Sequence, residues 1–196
     1  MALFAAFGAY AAHEGAHAVG RARLPPGKAI DLAPPLSGGT FLVANGGSDL
    51  RVNAHLDALD EADPSHRPWW GTAHGIDLVQ VDRAGLPARG LMPSDPAAYL
   101  VFGTPVTAPC AGQVVVAVDG RPDMPVPTYD PESLVGNHVI LRCPEADIVM
   151  AHFRHGSLRV RQGAVVDVGD EIAAGEPLPI RLAGRFLVRN DRVVLP

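Results

Sequence analysis

The segment HEGAH, residues 13–17, has the His-Glu-x-x-His spelling of a zinc protease. On a helix the four-residue spacing puts His13 and His17 on one face, and Glu14 stands beside them as a general base. Gly20 falls where a longer metzincin-type motif wants glycine, but the third ligand of that motif would then be Arg23, a cation with no lone pair to give a metal. Two Pro-Pro pairs, at 25–26 and 34–35, also separate this segment from the rest of the chain. The expected structure over residues 1–24 is therefore an apolar amphipathic helix, a remnant of an export or anchor segment. A zinc protease acting through His13, Glu14 and His17 is the alternative.

The remaining 172 residues carry a different pattern. Hydrophobic residues make up 47% of the chain, Gly and Pro number 21 and 19, and helical periodicity is absent beyond the first segment. Short apolar runs punctuated by turn residues predict many strands: TFLVA, LRVN, GIDLVQV, TPVTAP, GQVVVAV, HVILR, DIVMAHF, SLRVR, AVVDV, RFLVR and RVVL. The organisation expected is a helix over 1–24, a Pro-rich linker over 25–38 and one all-β domain over 39–196. A net charge of -5 and the lack of any Lys/Arg run argue against a nucleic-acid partner. The run MALFAAFGAYAA is too short to span a bilayer and has the length of a signal-peptide apolar region without its basic start. Periplasmic or extracellular export, or a membrane anchor, follows as the expected localisation.

Within the β region several motifs stand in a fixed order: VNAH at 52–55, HGID at 74–77, FGTPVTAPCAGQVVV at 102–116, GNHVIL at 136–141, MAHF at 150–153, and VVDVGDEIAAG at 165–175. This series resembles the lysostaphin-like zinc metallopeptidases, which cut peptidoglycan peptides and have the duplicated hybrid motif fold. The resemblance covers roughly residues 40 to 178 and rests on the order of the pieces more than on any one of them. It implies a β-roll in which zinc, held by a histidine, an aspartate and a second histidine, activates water in its open position.

Carried onto this chain, the resemblance makes Asp77 the aspartate ligand and His152 the catalytic histidine. The first ligand is either His55, from the Asn-x-His segment, or His74. Residues three apart on a strand point to opposite faces, so His74 would need a bulge to join Asp77, and His55 is preferred. His66, His138 and His155 match no ligand position. Cys110 and Cys143 border two apolar runs that could pair, which makes them either a disulfide or two buried thiols.

One departure bears on activity. After VGDEIAAG the family continues to a His-x-His strand that supplies the last ligand and a further catalytic histidine, whereas no histidine follows His155 here. The C-terminal run RFLVRNDRVVL reads instead as a hairpin turning at Asn190-Asp191. Two protein ligands make a poor zinc site, so the expected function is an impaired or inactive peptidoglycan metalloendopeptidase domain with weak zinc binding. A non-catalytic β-roll that docks on a cell-wall peptide or a partner hydrolase is the alternative. A sugar-phosphotransferase carrier, which shares the fold, is disfavoured by the MAHF context.

Overall fold

The computed structural model describes residues 29–62, 71–128, 133, 135–174, 181–182 and 192–195. Residues 1–28, with the HEGAH segment, lie outside this set, as do His66 and the proposed Asn190-Asp191 turn. Eleven strands are described: β1 (Asp31–Leu32), β2 (Gly39–Asn45), β3 (Asp77–Val81), β4 (Pro105–Thr107), β5 (Gly112–Val118), β6 (Asn137–Arg142), β7 (Asp147–Phe153), β8 (Val165–Val166), β9 (Glu171–Ala174), β10 (Arg181–Leu182) and β11 (Arg192–Leu195). Helical structure among the described residues is confined to short 3-10 turns, including Ala54–Leu59 and Pro96–Ala98. The described fold is all-β.

The largest sheet has the order β7-β6-β5-β8, and a second has the order β11-β2-β3. All their pairings are antiparallel. A β4–β9 ladder and a parallel β1–β10 pair complete the set. Alternation puts Val139 and Leu141 of β6, with Ile148 and Met150 of β7, on the buried side of the large sheet. They meet Phe41 and Val43 of β2 and Val106 and Ile172 of the β4–β9 ladder in one hydrophobic cluster. Both larger sheets therefore share a single core.

Three segments differ from the sequence reading. The end of the expected linker belongs to the body: Leu32 and Leu36 are buried in the core and Ala33 N–H donates to Pro109 O at 2.9 Å. Two Pro-Pro pairs read as a spacer, but apolar residues between and after them find core contacts, and burial decides the outcome. LRVN forms no strand because Asn53 caps the 3-10 helix that follows, its side-chain oxygen accepting from His55 N–H at 3.2 Å. SLRVR is likewise outside the ladders, although Arg159 N–H donates to Ile172 O at 2.9 Å. At the other end, β11 pairs with β2, so the C-terminal RVVL closes the edge of the smaller sheet.

Cys110 and Cys143 form a disulfide with their Cα atoms 6.0 Å apart. Between them Gly112 passes so close to the Arg142 carbonyl that any side chain there would collide with it. That close approach, next to the Gln113–Arg142 register of β5 and β6, brings the two cysteines together.

Candidate metal and peptide site

His55 lies in the 3-10 helix Ala54–Leu59, and Asp77 is the first residue of β3. The connection between them folds back so that His55 Nε2 stands 3.5 Å from Asp77 Oδ1. The β2–β3 ladder carries a bulge between Val43 and Asn45, which sets Asn45 directly opposite Asp77. From there the Asn45 side chain accepts from Ala54 N–H at 2.9 Å through its oxygen, and its nitrogen lies 3.1 Å from His55 Nδ1. Asn53 approaches the same ring nitrogen with its oxygen at 3.0 Å. Buried Asn53 is itself tied to the backbone, donating to Gly47 O at 3.0 Å and Ala73 O at 3.5 Å. His74, the alternative ligand, is exposed in the turn before β3.

His152 reaches the same neighbourhood from the large sheet. Asn137 pairs with Phe153 and Val139 with Met150, so Ala151 and His152 together face His138 across a bulge. His152 takes φ 61°, a left-handed backbone that is uncommon outside glycine. Its N–H donates to Val135 O at 3.1 Å. The bulge turns the histidine away from the buried side occupied by Met150, Ala151 and Phe153.

The His152 ring is reached by solvent but is flanked by enough protein to lose much of its hydration. Desolvation pushes its pKa below the ordinary histidine value, Asp77 opposes that shift, and His55 reinforces it. His55, Asp77 and His152 thus feel one another's charge although 97 positions separate the first from the last.

Beside His152 opens a cleft of about 330 Å³. Tyr99, Phe102, Met124 and Val126 give it an apolar lining, with Arg121 and Arg154 among its polar residues. The Arg154 guanidinium lies over the Phe102 ring, 6.0 Å from its centre. His55 and Asp77 do not line this cleft, so His152, which feels the charge of both, is the link between it and the His55–Asp77 pair.

Three anchors hold the cleft wall, which is built by the long β5–β6 excursion. Asn137, buried, accepts from Arg121 N–H at 2.8 Å and donates to Arg121 O and Phe153 O at 2.9 and 3.0 Å. Asp119 accepts from Gly120, Gly156 and Leu158 N–H groups at 2.7, 2.8 and 3.2 Å. Asp123 accepts from His155 N–H at 2.8 Å. None of these anchors is visible as a motif, except that Asn137 sits in the GNHVIL segment; their roles depend on which strands become neighbours.

The geometry can be tested against a metal. Zinc bonds to imidazole nitrogen and carboxylate oxygen are about 2.0–2.2 Å, so two ligands of a tetrahedral site lie about 3.4 Å apart. The 3.5 Å between His55 Nε2 and Asp77 Oδ1 matches that edge. It is also longer than an ordinary N–H···O hydrogen bond of about 2.7–3.2 Å. The pair therefore fits two corners of a zinc tetrahedron. Among the described residues no group of three or more His, Cys, Asp or Glu side chains comes together at a metal-binding spacing. His138 and His155 stay apart from the pair: His138 Nδ1 bonds Gly136 O at 2.9 Å, and His155 follows the turn held by Asp123.

Comparison with family models, with curated proteins and with solved structures finds no match. Among the described residues no helix is long and apolar enough to cross a membrane.

Proposed function

We propose that this chain is a lysostaphin-like metallopeptidase domain with an impaired site: it binds cell-wall peptide in the cleft at His152, holds zinc weakly through His55 and Asp77, and turns over little or no substrate. The observation that carries this reading is the His55–Asp77 pair, two donors 3.5 Å apart at a metal-ligand spacing, whose charges reach His152 of the large sheet. Zinc would supply Lewis-acid activation of water at this pair. His152, held mainly neutral by its surroundings, is suited to accept a proton from a nucleophile and return it to a leaving amine. With two protein ligands neither the metal nor its water is held in a fixed orientation, and alignment suffers accordingly.

Export to the periplasm or cell exterior is part of the proposal, and the Cys110–Cys143 disulfide supports an oxidising compartment. A non-catalytic reading, in which the domain docks on cell-wall peptide or on a partner hydrolase, is favoured by one feature: the cleft is lined by Tyr99, Phe102 and Met124 and is independent of the His55–Asp77 pair. The two readings part on zinc, which the impaired metallopeptidase holds at His55 and Asp77 and the docking module does not; turnover tests whether the site is impaired at all. Purified protein is incubated with cell-wall sacculi and zinc, and new amino termini are counted. The proposal expects pulldown on sacculi with few or no new termini; clear turnover abolished by Asp77→Ala overturns the impaired reading.

A further inference from the structure

The imidazole of His55 faces a conflict at Nδ1. The Asn53 side-chain oxygen at 3.0 Å calls for a proton on that nitrogen, and the Asn45 side-chain nitrogen at 3.1 Å calls for a lone pair. Both contacts cannot be hydrogen bonds in the same neutral ring. The surroundings decide between them. Asn53 is 1% exposed, its oxygen is fixed by His55 N–H, and its nitrogen is fixed by the carbonyls of Gly47 and Ala73. Turning that amide over would set its oxygen against two carbonyls. Asn45 is partly exposed, so its amide hydrogens have water as an alternative partner.

The far side of the ring argues the same way. A proton on Nε2 would meet Asp77 at 3.5 Å, too far for a good bond, whereas a proton on Nδ1 finds Asn53 at 3.0 Å. A second contact fixes the plane of the ring. A Cβ added at Gly75 would lie 2.7 Å from His55 Nδ1 and 2.9 Å from both Cε1 and Cγ. Three ring atoms at nearly equal distance mean that the imidazole rests flat on the Gly75 backbone. No other residue leaves room for it there.

We propose that Asn53 and Gly75 are positioning residues for His55: Asn53 selects the Nδ1–H tautomer, and Gly75 seats the ring so that the Nε2 lone pair is aimed beside Asp77. Two electron-pair donors held side by side in this way form a preorganised half-site for a divalent cation of the zinc class. The purpose of the device rests on the metal reading above, but its existence does not.

The test is long-range proton–nitrogen NMR of the histidine rings in the metal-free full chain at mildly alkaline pH, with His55 assigned by loss of its signals in His55→Gln. The expected result is a protonated Nδ1 and a bare Nε2 at His55. A dominant Nε2–H form in the wild-type protein overturns the proposal. Asn45→Ala is expected to keep the Nδ1–H form and Asn53→Ala to lose it; the reverse pattern also overturns it.

Zinc titrations then read the seat. Gly75→Ala is expected to weaken zinc binding at least tenfold, the size of effect typical for groups that orient a ligand. Gly71→Ala, where an added Cβ meets nothing within 4 Å, is the control and is expected to bind as wild type. Equal affinity in both variants overturns the role of Gly75. If the tautomer is as expected but no variant, nor the wild type, binds zinc, the positioning stands and the metal reading fails. Should Asn53→Ala not fold, the wild-type tautomer and Asn45→Ala still decide the matter.

Discussion

The side-chain nitrogen of Asn137 donates to the carbonyl of Phe153 at 3.0 Å, one residue beyond His152, and the same amide clasps both backbone groups of Arg121. One buried residue thus joins the end of β7, where the left-handed His152 sits, to the loop that walls the cleft. A strained backbone persists only where its surroundings over-determine it, and Asn137 supplies one such restraint beside the His152 N–H bond to Val135 O. Asn137→Ala would strand a backbone donor and two acceptors, each worth on the order of 1–3 kcal/mol if buried and unpaired. We expect a loss of about 2 kcal/mol or more in urea unfolding, together with shifted His152 resonances in the protein that remains folded. An unchanged His152 spectrum would separate Asn137 from the site.

His152 itself should titrate below the ordinary histidine value of about 6.5. The shift has three named causes, so variants should move it in opposite directions. Asp77→Asn removes the charge that raises the pKa and should lower it further. His55→Ala removes a group that lowers it and opens the site to water, so the pKa should rise. NMR titration of the His152 ring in each variant checks both signs.

Asp119 gives the acid side of the stability curve. Burial alone would raise its pKa, but the N–H groups of Gly156, Gly120 and Leu158 outweigh that and hold it below the usual carboxylate range. A carboxyl depressed on folding stabilises fully above its unfolded value of about 3.9, and the contribution is lost as pH falls through the lower folded value. Wild-type protein should therefore lose more stability than Asp119→Asn between about pH 5 and pH 2. Parallel curves for the two proteins would contradict the assignment.

The disulfide closes a span of 33 residues. Restricting the unfolded chain over that length is worth about 3–4 kcal/mol in the loop-entropy view. Cys110→Ser with Cys143→Ser should show a loss of this order in chemical unfolding under non-reducing conditions, and reductant should reproduce it in the wild type. The His55–Asp77 pair lies outside this span, so zinc binding should survive, whereas the cleft wall at 121–137 lies within it and sacculus binding should weaken.

How much of this was legible in the sequence follows from where each signal resides. Strands β2, β5, β6 and β7 announce themselves because alternation and β-branched residues are local properties. LRVN failed as a strand because Asn53 has a stronger local use as a cap, and the apolar residues of 29–38 were hidden behind prolines that suggest a spacer. The parity of strand side chains set His74 apart from Asp77, and the structure puts His55, not His74, beside that carboxylate. Asn45 and Asp119 gave no signal, and Gly75 stood in the HGID motif without a visible role, since each acts on a residue that becomes its neighbour only through a bulge, a turn or a returning loop.

The most direct test of the account is calorimetric titration of zinc into the metal-free protein, alongside Asp77→Asn and His55→Ala. Weak one-to-one binding that either substitution abolishes is expected, because the two donors 3.5 Å apart would share a single ion. Binding that survives Asp77→Asn, or no binding in the wild type, would contradict it.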